Sequence, residues 1–104
     1  MRRMVDVRRL IFDDWNVEHI ARHGVTQEEV EQVCRGDHIV QTGYRGRLVL
    51  IGATSTSRML AVVLAQQDEG EFYPVTARPA SRKERKQYAS EKGRQAHDDE
   101  TDRE

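Results

Sequence analysis

From residue 38 onward the apolar residues stop recurring at helical spacing and come in blocks. The segments 38–42, 47–53, 59–65 and 72–77 are rich in Val, Ile, Leu and aromatic residues. Turn clusters separate them: Gly43-Tyr44-Arg45-Gly46, Thr54-Ser55-Thr56-Ser57 and Asp68-Glu69-Gly70-Glu71. Connections this short join neighbouring antiparallel strands, because a parallel return needs a long crossover. The pattern predicts a meander of three or four strands, with a further N-terminal strand over 7–12. A chain of 104 residues holds one domain and one modest core. With 37% apolar and 34% charged residues, that core is a single sheet covered by helices under a heavily charged surface. The class is α+β.

The helices are marked by their ends. Asp13 and Asp14 offer an N-cap for a short helix over 15–23, and Gly24 stands where a left-handed C-terminal residue is needed. Thr26 and Glu29 have the spacing of a capping box, with Val25 and Val30 placed as a hydrophobic staple. That second helix runs to about Arg35 and buries Val30, Val33 and Cys34. Ser81 and Glu84 form another capping box and predict a third helix to about Lys92, before Gly93. The domain is expected to span 1–93. The segment 94–104 has no apolar period and is read as a disordered acidic tail.

Net charge is −1, which by itself argues against a nucleic-acid partner. The distribution argues for one. The tail carries two basic residues against five acidic ones, so residues 1–93 have 15 bases, 13 acids and a net +2. Arg78, Arg82, Lys83, Arg85, Lys86 and Lys92 crowd into one short stretch against Glu84 and Glu91. Local density sets the field that a phosphate meets. The single cysteine excludes an internal disulfide, and no apolar run is long enough for a membrane span or a signal peptide. A cytoplasmic location is the expectation, with no membrane partner.

The third helix begins against its own dipole. Arg82 and Lys83 occupy its first positions, where acids are favoured, and each such charge costs roughly 0.3–1 kcal/mol at an exposed site. Free N–H groups, the positive dipole end and Arg78 just upstream would suit an anion such as phosphate. The plain alternative is a solvated Lys/Arg-rich face. Arg47, Arg58 and Arg78 lie at strand ends and would converge if the register allows. Glu84 also has a purely capping role open to it, and Tyr88 a packing role on the sheet. His19 and His23 share a helical face, but metal binding needs a further ligand, and none stands at suitable spacing. Cys34 reads as core. No metal and no cofactor is expected.

Several of these stretches together resemble one family. The run Trp15-Asn16 through His23-Gly24-Val25 to Glu29 is similar to the opening of BrnT-type toxins. Arg47-Leu-Val-Leu-Ile-Gly52 and Ser57-Arg58-Met-Leu-Ala-Val-Val look like its central strands. Thr76-Ala-Arg78-Pro-Ala80-Ser-Arg82-Lys-Glu84-Arg85-Lys-Gln-Tyr88 resembles its closing signature, so the likeness spans about 12–90. The resemblance implies a RelE-like fold and metal-independent RNA cleavage. It also implies neutralisation by a BrnA-like, ribbon-helix-helix, DNA-binding antitoxin, with room for a dimer in that complex. By position it assigns the catalytic candidates Arg47, Arg58, Arg78, Arg82, Glu84 and Tyr88. Lys83, Arg85, Lys86 and Arg45 would hold RNA phosphate. In the expected reaction Arg78 and Arg82 stabilise the phosphorane, Arg47 or Arg58 assists, and Glu84 is the base. Tyr88, His23 and Lys83 stay open as the acid. A nucleic-acid-binding module without catalysis, or a protein-docking module, remains the alternative.

Overall fold

The structure, a computed structural model, describes the backbone of residues 4–101 and the side chains of residues 4–93. Reciprocal caps start its helices. Helix α1 (Asp14–Ala21) opens on Asp13, whose carboxylate accepts the Asn16 N–H while the Asn16 side-chain oxygen accepts the Asp13 N–H, both at 2.9 Å. Asn16 is fully buried, and its amide also donates to the Ile11 carbonyl. The helix ends at Ala21, short of the expected His23. A turn closes it, with Gly24 at φ +73°. Helix α2 (Gln27–Arg35) carries the Thr26–Glu29 box, and it buries Val30, Val33 and Cys34 as expected.

The sheet has five strands: β1 (Arg9–Leu10), β2 (His38–Thr42), β3 (Leu48–Ala53), β4 (Met59–Asp68) and β5 (Glu71–Pro79). Their order is β1-β5-β4-β3-β2. Strands β2 to β5 form the antiparallel meander, while β1 pairs parallel to β5 over two residues. The sheet is therefore mixed, and the N-terminal strand is far shorter than 7–12. A 3₁₀ turn, Tyr44–Gly46, joins β2 to β3.

Register fixes which side chains share a face. Ile39, Ile51, Ala61 and Arg78 are successive partners across four strands, so they form one row. Gln41, Val49, Val63 and Thr76 form the next row on that face. The opposite face carries Leu50, Val62 and Ala77, which pack with Ile20, Val25, Val30 and Val33 under α1 and α2. Helix α3 (Arg82–Thr101) lies on the first face, where Ile39, Ile51, Ala61 and Ala80 meet Met59 and Tyr88. Burial on both faces explains why β3 and β4 read as continuous apolar runs rather than alternating ones. Helix α3 continues through Gly93 to Thr101, past the expected end near Lys92. Ala and Gln are good helix formers, and one interior glycine costs only about 1 kcal/mol. Residues 102–104 of the expected tail lie outside the described residues.

A buried imidazole ties the N-terminal segment down. His38 Nε2 accepts the Val5 N–H at 3.2 Å, which leaves Nδ1–H to donate to the Gly36 carbonyl at 3.0 Å. Burial holds its pKa below the usual imidazole value, against the nearby Asp37 carboxylate and with the Lys92 ammonium. A lowered folded pKa stabilises above about pH 6.5, and that stability is lost as pH falls toward the folded value. Denaturant titrations at pH 7.5 and pH 5 are expected to show a smaller acid loss in His38→Leu than in the parent. Equal losses would remove His38 from this role.

Candidate nucleic-acid interface

Arg78 rises from the last row of β5 onto the face that α3 covers. The chain then turns at Pro79 and Ala80, and Ser81 caps α3, which brings Glu84 back over the arginine. The pair is bidentate, with Nη1 to Oε1 and Nη2 to Oε2 both at 2.8 Å. Glu84 also closes its capping box: the Ser81 N–H donates to Oε1 at 2.8 Å, and Ser81 Oγ accepts the Glu84 N–H at 3.1 Å. The guanidinium, with help from the Ser81 N–H, holds the Glu84 carboxyl down at about 2 against the opposing effect of burial. Such a carboxylate takes up a proton poorly, and its bidentate pair fixes the direction of the guanidinium fork. Two of the five guanidinium N–H groups face Glu84, and Nη1 also lies 3.4 Å from the Pro79 carbonyl. The Nε–H edge keeps no protein acceptor among the described residues. The Arg78 side chain is 38% exposed.

Arg58 goes the other way. Its Nη1 donates to the Gly24 carbonyl at 2.7 Å and to both Glu29 oxygens at 3.0 and 3.2 Å. It clamps the start of β4 to the α1–α2 turn, on the layer opposite α3. The convergence expected of Arg47, Arg58 and Arg78 is thus not what the fold builds. Arg58 sits in the loop before β4 and bends to the nearest carboxylate, which α2 supplies. Arg58→Ala is expected to cost about 1–2 kcal/mol of stability, since it frees a half-buried Glu29. It should leave any RNA cleavage rate within about twofold. A large rate loss at unchanged stability would return Arg58 to the site.

Helix α3 covers only part of its face of the sheet. The Gln87 side-chain oxygen accepts from the Gln41 amide, the Lys92 ammonium pairs with the Asp37 carboxylate, and Tyr88 packs in the core below. This seats α3 toward β2 and leaves Val49, Val63 and Thr76 only half-buried. Arg47 precedes Leu48 in extended backbone, so strand alternation gives it the face of Val49. Lys83 is one helical turn before Gln87 and shares its flank. The half-buried strip of sheet left beside α3, the α3 groove, is bordered by Lys83 and Gln87 on the helix flank, by Arg47 at the start of β3 through strand alternation, and by Arg78 near the start of α3. In register terms Arg47 and Arg78 lie four residues along and two strands across, about 16 Å apart at the backbone. They share a face without sharing one pocket.

Apart from Arg78, the cations around this groove have no carboxylate partner among the described residues. No acidic residue occurs between His38 and Gln67. Among the described residues Arg45, Arg47, Arg82, Lys83 and Lys86 make no ion pair with a carboxylate. Arg82 and Lys86 are exposed on the outer side of α3, while Arg85 turns back to the Ala80 carbonyl at 3.1 Å. Tyr88 is half-buried, with the Lys92 ammonium 5.4 Å from its ring centre, which is a packing position.

The remaining candidates lie elsewhere. His19 stacks on Trp15 at 4.8 Å and meets His23 edge-on at 5.7 Å, along the exposed side of α1. Among the described residues no cluster of three or more His, Cys, Asp or Glu could hold a metal. Burial pushes the Cys34 thiol up to about 12, so it stays protonated. A cleft of about 400 Å³ runs between the N-terminal segment and the end of α2, lined by Met4, Val5, Val7, Cys34 and Arg35. Among the described residues no helix is long and apolar enough to cross a membrane. Sequence reasoning missed Gln41 and Gln87, whose contact ties α3 to β2. For Gln41 the signal was a polar residue inside an otherwise apolar strand, while Gln87 sits on a polar helix and gave none. No family model, curated protein or solved structure matches the chain.

Proposed function

We propose that this protein binds single-stranded RNA along the α3 groove and cleaves it without a metal ion, as a toxin of the BrnT type with a RelE-like fold would. The observation that carries this reading is the guanidinium of Arg78. It is fixed by Glu84 along one edge and open along another, on the face that also holds the unpaired Arg47 and Lys83. In the proposed reaction the ribose 2′-oxygen attacks the adjacent phosphorus and the bond to the 5′-oxygen breaks, leaving a 2′,3′-cyclic phosphate. Arg78 donates to the non-bridging oxygens as charge builds on them. Glu84 keeps the fork aimed, and Arg47 and Lys83 hold flanking phosphates. The 2′-hydroxyl proton leaves to solvent hydroxide: among the described residues Glu84 is too weak a base, and His19, His23 and His38 lie on the other layer. The departing 5′-oxygen takes its proton from water or from Lys83. A cytoplasmic location and a DNA-binding antitoxin as partner belong to the same proposal.

Binding without turnover is the second reading, favoured because the carboxylate that pairs with Arg78, Glu84, is held well below the usual range. Incubation with unstructured RNA in excess EDTA separates the two. Cleavage is expected, with cyclic phosphate ends and a rate that rises from pH 6 to pH 9. Salt-sensitive binding with no cleavage across that range would leave a binding module, and neither binding nor cleavage would end both readings.

A further inference from the structure

Beyond the groove, the β2–β3 tip carries an aromatic ring in an unusual setting. Tyr44 is 78% exposed, the most exposed of the large hydrophobic side chains among the described residues. Its neighbour Arg45 adopts a left-handed backbone, φ 60° and ψ 36°, uncommon for a residue with a Cβ. Gly46 follows at φ +74°. The double turn sets the Arg45 guanidinium 5.3 Å from the centre of the Tyr44 ring. One ring face thus lies against a cation, and the ring as a whole stands in solvent. Two residues on, Arg47 enters the wall of the groove, and no acid lies between His38 and Gln67 to oppose an anion here.

A lone exposed aromatic is ordinary on a protein surface. An exposed aromatic held by an unpaired arginine, next to a second unpaired arginine at the mouth of a cationic groove, has the parts of a base-stacking post. Proteins that bind single strands combine such rings with backbone-tracking cations. We propose that Tyr44 takes one unpaired nucleobase on its open ring face, with Arg45 backing the ring and Arg47 holding the adjoining phosphate. This rests on the RNA reading and deepens it, since only an unpaired base can stack in this way. The preferred ligand is an unstructured strand, and a duplex, whose bases are already stacked on one another, is excluded from this contact.

The test uses the full chain and a short 2′-O-methyl oligoribonucleotide, which lacks the attacking hydroxyl and so reports binding alone. A matching strand of equal phosphate count carries abasic sites in place of its bases. Tyr44→Ala is expected to weaken binding of the intact strand about tenfold, a typical effect of losing one base stack. It should leave the abasic strand and the salt dependence unchanged, and Tyr44→Phe should keep the parent affinity. Equal weakening on both strands would overturn the stacking role, as would no weakening on either. If the parent protein binds the two strands equally well, Tyr44 reads no base while the groove still binds phosphate. If it binds neither, the RNA reading falls and this inference falls with it.

Discussion

Arg78→Ala is expected to lower single-turnover RNA cleavage by about a hundredfold or more, the usual cost of removing one donor aimed at a developing oxyanion. The fold should survive. Arg78 ends a row whose other members, Ile39, Ile51 and Ala61, are buried without it. Glu84 keeps its Ser81 contacts and sits at a helix N-terminus, which favours its charge. Loss of the pair is therefore expected to cost on the order of 1 kcal/mol, as for other part-exposed ion pairs. Arg78→Lys keeps the charge but not the planar fork, and it should recover little activity. Glu84→Gln separates positioning from chemistry. It should reduce the rate less than Arg78→Ala while leaving the shape of the pH profile unchanged. If Glu84 were the base, that profile would lose its slope instead.

The largest expected loss of stability is at Ile51. It is fully buried on the α3 face, in the middle of the row from Ile39 to Arg78. Ile51→Ala removes three carbons from a packed layer that the single helix α3 closes. Such changes cost about 2–5 kcal/mol, a large share of the 5–15 kcal/mol typical of a domain. A fall in Tm of roughly 10 °C or more is expected. Amide exchange in α3 should quicken before that in α1 and α2, since the lost contact belongs to the α3 layer alone. Val63→Ala, on the open part of the same face, is the control and should cost about 1 kcal/mol. Equal effects at the two positions would mean that α3 does not close this layer.

What the sequence made legible follows the range of each interaction. The caps at Thr26–Glu29 and Ser81–Glu84 depend on residues three apart, and both appear as written. The four long strands were legible because each is a block of Val, Ile and Leu between turn clusters. Their double-sided burial was not, since a block of apolar residues does not say how many layers cover it. Parallel pairing of β1 with β5 joins residues some sixty positions apart, and nothing local announces it. The arginines show the same limit. Arg58 and Arg78 looked equivalent, each near a strand end. The fold hands Arg58 a carboxylate from α2 and Arg78 one from its own helix cap. Of these two, Arg78 alone kept a place on the α3 face, which Arg47 shares, and register decided that. Helix α3 outran Gly93 because one weak residue does not stop a helix whose neighbours favour it.

The central claim is that RNA phosphate lies on the α3 face of the sheet, so its location is what most needs measuring. Backbone amide shifts followed by NMR during titration with a 2′-O-methyl oligoribonucleotide would give it residue by residue. Changes are expected to concentrate at Arg47, Val49, Thr76, Arg78, Lys83 and Gln87, and to fade as salt is raised. Changes centred instead on the α1–α2 layer, around Arg22, Glu29 and Arg58, would contradict the claim.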